Sequence, residues 1–206
     1  MRIARRLLIG LTALAFLPAV TMAARPALRP DDMTLGSPKA RVVVVEYGSL
    51  SCPHCAHFHH DVFPEFKARF IDTGKVRFVW REYVTAPAEV AIPATMLARC
   101  AGADRYFKVI DRVFAVQKEI FDDGTVRGVH RILRREAAAL GIDGDAYDAC
   151  VRDEAAFEAL KTRLDQADAD QVPYTPYFVV NGKPVERAGG QAMDLATLEA
   201  AIKAAK

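Results

Sequence analysis

The strongest constraint on this chain is a nearly unbroken β-branched run, Val42-Val43-Val44-Val45-Glu46-Tyr47, which turns at Gly48 to Ser51 into Cys52-Pro53-His54-Cys55. Beyond the cysteines, Phe58, Val62, Phe66 and Phe70 recur at a spacing of four. A run without polar alternation suits a strand covered on both faces, and a spacing of four suits one face of a helix. The two cysteines are therefore expected on the first turn of a helix that leaves a central strand. Pro64 falls inside that helix and is expected to kink it. After Thr73-Gly74, Val76 to Val84 reads as a second strand. Strand, helix and strand then form a right-handed βαβ unit with parallel strands.

A lone Cys-x-x-Cys is compatible with several chemistries, and its surroundings narrow them. Haem attachment needs a histidine directly after the second cysteine, where Ala56 stands. A structural zinc needs a second nearby pair, and Cys100 and Cys150 have no Cys or His partner close in sequence. A redox dithiol fits a helix N-terminus, where unpaired backbone N–H groups and the helix dipole favour a thiolate at Cys52. Cys52 is then expected to be the exposed, low-pKa sulfur that a substrate thiolate attacks, and Cys55, one turn further in, the buried resolving thiol. His54 can donate a hydrogen bond or positive charge to the Cys52 thiolate; its alternative is an ordinary exposed helix residue.

The remaining chain has a helical middle and a β-rich end. Val129, Ile132, Leu133 and Leu140 share one helical face, with Gly141 as a stop, and Phe157, Leu160 and Leu164 share another. Tyr177 to Val180, the pair Asn181-Gly182 and Pro184 to Arg187 read as a two-residue hairpin, and Asp194 caps a last helix carrying Leu195, Leu198 and Ile202. Trp80 and Phe178 are expected as core or groove walls. Residues 24–40, with Pro26, Pro30, Gly36 and Pro38, read as an extended lead-in too short for a domain.

Arg2, Arg5 and Arg6 precede the uncharged run Leu7 to Val20 and the small residues before Arg25. This is the pattern of a cleaved secretory signal peptide, residues 1–23, too short and proline-broken for a spanning helix. Its removal takes the formal charge from +2 to −1, so the balance gives no support to a nucleic-acid surface. Export also places the four cysteines where disulfides persist. With 51% hydrophobic residues in 206, the chain has ample core for one domain and is not of a disordered class.

Glu46-Tyr47-Gly48-Ser49-Leu50-Ser51-Cys52-Pro53-His54-Cys55, together with Thr175-Pro176-Tyr177-Phe178-Val179-Val180-Asn181-Gly182, resembles the DsbA-type thiol:disulfide oxidoreductases of bacteria. The resemblance runs from about Met33 to the C-terminus. It implies an α/β thioredoxin fold in two halves, 41–85 and 171–206, separated by a helical insertion, 86–170. It implies Cys52, Pro53, His54 and Cys55 as the catalytic motif and Glu46 as a buried acid that handles the proton of Cys55. It also implies Pro176 as a cis-proline facing the dithiol, with Thr175 pairing to an extended substrate chain. Four cysteines allow three pairings; since several members carry a second pair in the insertion, the resemblance implies Cys52 with Cys55 and Cys100 with Cys150, the latter structural. The implied protein is a periplasmic monomer that oxidises reduced exported proteins and is reoxidised by a membrane quinone-linked, DsbB-like partner, with no organic cofactor and no metal.

Two other functions compete. An isomerase or reductase of the same fold would use the same dithiol, although such proteins usually dimerise through an added N-terminal domain, for which the lead-in is too short. A copper- or zinc-binding module would use Cys52, His54, Cys55, His57, His59 and His60; on a helix those side chains spread over more than one face, and His57, His59 and His60 otherwise read as a polar helix face.

Overall fold

A computed structural model describes residues 28–187 and 192–205. The signal-peptide expectation lies outside the described residues. In chain order the elements are β1 (Met33–Gly36), β2 (Val42–Gly48), α1 (Pro53–Asp61), α2 (Phe63–Phe66), a π-helical turn (Lys67–Ile71), β3 (Val76–Glu82), α3 (Ala88–Cys100), α4 (Ala103–Asp123), α5 (Val126–Ala138), α6 (Gly144–Val151), α7 (Glu154–Ala169), β4 (Tyr177–Val180), β5 (Lys183–Pro184) and α8 (Leu195–Ala204). The sheet has the order β1-β3-β2-β4-β5. β2 and β3 are parallel, as a βαβ crossover requires, and the other pairings are antiparallel. The result is a thioredoxin-type sheet with five helices between β3 and β4.

Every residue of β2 is buried, which accounts for its missing polar alternation. Val42 and Val44 join the main core with α1 and the helical layer, while Val43, Val45 and Tyr47 face a smaller cluster with Val79, Ala167 and Val172. Glu46 shares the main-core side of the strand with Val42 and Val44. On that side Gly48 ends the strand against an indole: a Cβ there would lie 2.3 Å from Trp80.

The helix after the cysteines is broken rather than merely kinked. Pro64 has no N–H and its ring crowds the carbonyl four residues earlier, so α1 stops at Asp61 and α2 starts at Phe63. Phe58, Phe66 and Phe70 still reach the core. α3, by contrast, runs through Pro93, with Val90, Ala91, Ala94, Leu97 and Ala98 all buried along it. The lead-in, expected as extended chain without an element, supplies an edge strand, β1, which exists through pairing with β3. Phe157 is 36% exposed, because α7 meets the rest of the fold along a stripe set by Leu160 and Ala167. The hairpin turn has positive φ at both Asn181 and Gly182, the pairing a two-residue turn of this kind demands. Cys100, at the end of α3, is disulfide-bonded to Cys150 in α6.

Candidate active site

Cys52 is the N-cap of α1 and Pro53 its first residue, where a missing N–H costs nothing. The turn before it is pinned from several sides. Ser51 Oγ donates to the Thr85 carbonyl at 2.8 Å, Thr85 N–H donates to Ser49 Oγ at 3.1 Å, and the buried Gln117 of α4 donates to the Leu50 carbonyl at 3.0 Å and to that of Cys52 at 3.3 Å. Facing the cysteines is the Thr175–Pro176 peptide, which is cis; the Ala86–Pro87 peptide, which the sequence did not flag, is cis as well. The Cys52 thiol lies 3.5 Å from the Thr175 carbonyl, to which it donates when protonated.

Cys52 and Cys55 are free cysteines of opposite character. The Cys52 pKa is held down to about 5, chiefly by a hydrogen bond from the Cys55 thiol, against the opposing effect of burial, with further donors in Thr175 and the N–H groups of Cys55 and His54. The Cys55 N–H donates to Cys52 Sγ at 3.4 Å. Burial, first of all, pushes the Cys55 thiol up, followed by its donation to Cys52 and the charge of Glu46. One expectation needs correction here. Cys52 is not an exposed sulfur: it is 5% accessible against 0% for Cys55, because the Thr175–Pro176 segment and the turn close over it. The His54 side chain is exposed on α1, and His54 contributes its backbone N–H to Cys52.

Below the dithiol, Glu46 is completely buried, flanked across the sheet by Trp80 and Phe178. It is therefore not an edge carboxylate in solvent. Burial raises its pKa, and the charge and hydrogen bond of His59 pull the other way. His59 Nε2 lies 3.0 Å from Glu46 Oε2, and the imidazole is packed among Phe63, Phe114 and Trp80 at centroid distances of 4.6, 4.8 and 5.4 Å. Glu46 Oε1 and His59 Nδ1 are buried with no hydrogen-bond partner among the described residues, an arrangement that costs about 1–3 kcal/mol per group. His59 thus departs from the polar helix face expected for His57, His59 and His60. A signal was available: His59 is four residues after Cys55, so a buried Cys55 implies a buried His59. His57 pairs with Asp61, and His60 Nε2 lies 3.2 Å from the Phe114 carbonyl, so the three histidines are directed to different partners. Among the described residues, no three His, Cys, Asp or Glu side chains gather as a metal site.

The thioredoxin family model matches residues 28–204. This chain belongs to the thioredoxin family. Among solved structures, alpha-DsbA1 of Wolbachia pipientis superposes on this thioredoxin-family chain with a TM-score of 0.73 at 26% identity, over 86% of this chain and 92% of that one. DsbA of Chlamydia trachomatis shares the fold with a TM-score of 0.68 at 19% identity, over 86% and 93% of the two chains. The DsbA-type resemblance carried by the motifs is upheld by the Wolbachia neighbour. A Rickettsia bellii protein named "Putative protein-disulfide oxidoreductase" is 34% identical over 158 residues, 76% of this chain and 59% of its own length. Its Rickettsia felis counterpart, of the same name, is 34% identical over 74% of this chain and 54% of its own. The family member described here thus spans little more than half the length of these curated relatives.

A pH dependence follows from the depressed Cys52. In the folded dithiol form its pKa is about 5 against an ordinary thiol value of 9.0, so ionisation of Cys52 adds stability that is complete above pH 9 and is lost as pH falls through 5. At pH 7 this amounts to roughly 1–3 kcal/mol. The disulfide form has no such group. The reduction potential is accordingly expected to change by about 30 mV per pH unit above pH 5, where one proton accompanies two electrons, and by about 59 mV per unit below it. Equilibration against a dithiol of known potential from pH 4 to pH 8 checks this; a single slope throughout contradicts a thiolate at Cys52.

Proposed function

We propose that this protein is a thiol:disulfide oxidoreductase that introduces disulfides into exported proteins. The observation that carries the reading is the asymmetry of its two sulfurs: Cys52 stabilised as a thiolate with a pKa of about 5, and Cys55 held protonated in the core one turn away. A thiolate that is stable in the dithiol form makes the corresponding disulfide a strong oxidant and Cys52 a good leaving group. In the forward reaction a substrate thiolate attacks Cys52 of the disulfide, Cys55 departs and acquires a proton, and the substrate's second thiolate expels Cys52. Thr175, whose carbonyl is 3.5 Å from the Cys52 sulfur, offers its backbone to an extended substrate chain. Glu46 supplies or takes the Cys55 proton. The Cys100–Cys150 disulfide is structural. Periplasmic location, a monomeric state and reoxidation by a membrane quinone-linked, DsbB-like partner belong to the same reading.

The experiment is a measurement of the reduction potential against glutathione, together with oxidation of a reduced, unfolded protein. An oxidase is expected to lie about 100 mV or more above the thioredoxin value of about −270 mV. A potential near that of thioredoxin, with no net oxidation of the substrate, makes the protein a reductase or isomerase.

A further inference from the structure

The Glu46–His59 pair borders a second region besides the dithiol. His59 lines a cleft of about 300 Å³ where α1 and α2 meet α4, walled also by His60, Phe63, Lys67, Asp111 and Phe114. Neither Cys52 nor the Thr175–Pro176 segment lines it. The pair therefore touches the dithiol region through Glu46 and, through His59, a separate and mainly apolar cleft that also carries His60, Lys67 and Asp111. Among the described residues each member keeps one buried polar atom without a hydrogen-bond partner, Glu46 Oε1 and His59 Nδ1, so each retains one free position at which a proton can be held.

We propose that His59 is a positioning residue that keeps Glu46 competent to take and return the Cys55 proton, and that it passes this proton to solvent through the α1–α2–α4 cleft while a substrate covers Cys52. The proposal rests on the thiol–disulfide exchange reading and adds to it a residue and a route. Glu46 between Trp80 and Phe178 would by itself stay protonated; the His59 charge and hydrogen bond oppose this. The groups facing the pair are Cys52 and Cys55 from the start of α1, Asp111 from α4, and His60 and Lys67 on the cleft wall, while β3 presents the Trp80 ring.

The protons balance. When a substrate thiolate opens the disulfide, a substrate–Cys52 disulfide forms, the Cys52–Cys55 bond breaks, and Cys55 leaves with the electron pair and takes a proton from Glu46. The resulting carboxylate is reprotonated by His59, which is refilled from solvent. Of the two protons lost by the substrate dithiol, one ends on Cys55 and the other in solvent, since Cys52 remains a thiolate. In the reverse direction Glu46 must be a carboxylate to accept the Cys55 proton before Cys55 attacks the mixed disulfide. That step fails if Glu46 cannot ionise.

The test separates the two steps. Reduced protein is mixed with oxidised glutathione between pH 4.5 and 8.5, quenched with acid, and the Cys52–glutathione mixed disulfide is followed by mass. His59→Phe is expected to slow decay of the mixed disulfide about tenfold at pH 7 and to move its pH midpoint up by about one unit, while the initial attack by Cys52 changes less than twofold. His59→Gln keeps a hydrogen-bond donor but cannot relay a proton, so the same direction is expected; it decides the matter if the Phe variant does not fold. A wild-type pH midpoint in the folded variants, or equal slowing of both steps, overturns the proposal. If wild type fails to oxidise a reduced protein while the shift in the His59 variants is present, the oxidase reading falls and the His59 assignment stands.

Discussion

Cys55→Ser is expected to leave the protein covalently joined to its substrates, whereas Cys52→Ser is expected to trap almost none. The chemistry of the two sulfurs requires this difference. A substrate cysteine that has become bonded to Cys52 is released either by its own second thiol or by Cys55, which lies on the same helical turn. An intramolecular thiol in that position acts with an effective concentration on the order of 10⁵ M or more. Its removal leaves release to the substrate's own second thiol and to external thiols at far lower concentration, so when Cys52 of the variant is first oxidised with glutathione disulfide, adducts with substrates whose second cysteine is out of reach persist through non-reducing electrophoresis. Cys52→Ser removes the less buried, more acidic sulfur, and the remaining Cys55 is fully inaccessible and held as a thiol. Turnover in that variant should fall to background. Equal trapping by both variants would contradict the assignment of Cys52 as the attacked atom.

Replacing Cys100 and Cys150 together by Ala is expected to cost about 2–4 kcal/mol of stability, close to the value for a cross-link that spans 50 residues in the chain-entropy account. For a chain of this length that is a fall of roughly 5–15 °C in Tm. The bond joins the end of α3 to α6, whereas the groups that set Cys52 come from α1, α4 and the segment before β4. Dithiol oxidation at a temperature where the variant is folded should therefore be largely retained. Calorimetry of the oxidised proteins and a substrate-oxidation assay on the same samples check both halves; unchanged stability with lost turnover would assign this pair a redox task instead.

The parts of the fold that were legible in the sequence are those in which a local pattern and its environment coincide. The β-branched run of β2, the proline and cysteines opening α1, the Asn181-Gly182 turn and the Asp194 cap each declare themselves within a few residues. β1 does not, because a four-residue strand between prolines and glycines is created by β3, a partner more than 40 residues away. His59 was hidden for a related reason. In a run containing His57, His59 and His60, composition suggests solvent, and the position of Glu46 across the core is what draws one histidine of the three inward. Gln117 was equally invisible, since its function is to hold carbonyls of a turn 65 and 67 residues away. The Cys52 pKa could be anticipated in direction from the helix N-terminus, while its largest contribution, the Cys55 thiol, depends on side-chain geometry.

The packing of Trp80 has one more consequence. It is the single tryptophan of the chain, it sits where only Gly48 leaves room for it, and its ring meets His59 edge-on at 5.4 Å. An indole's emission depends on the groups packed against its ring, so the brightness of this protein reports whether the packing of Gly48, His59 and Phe114 around Trp80 is intact. The molecule carries its own fluorescent gauge of that buried contact, and the gauge can be read with no label attached.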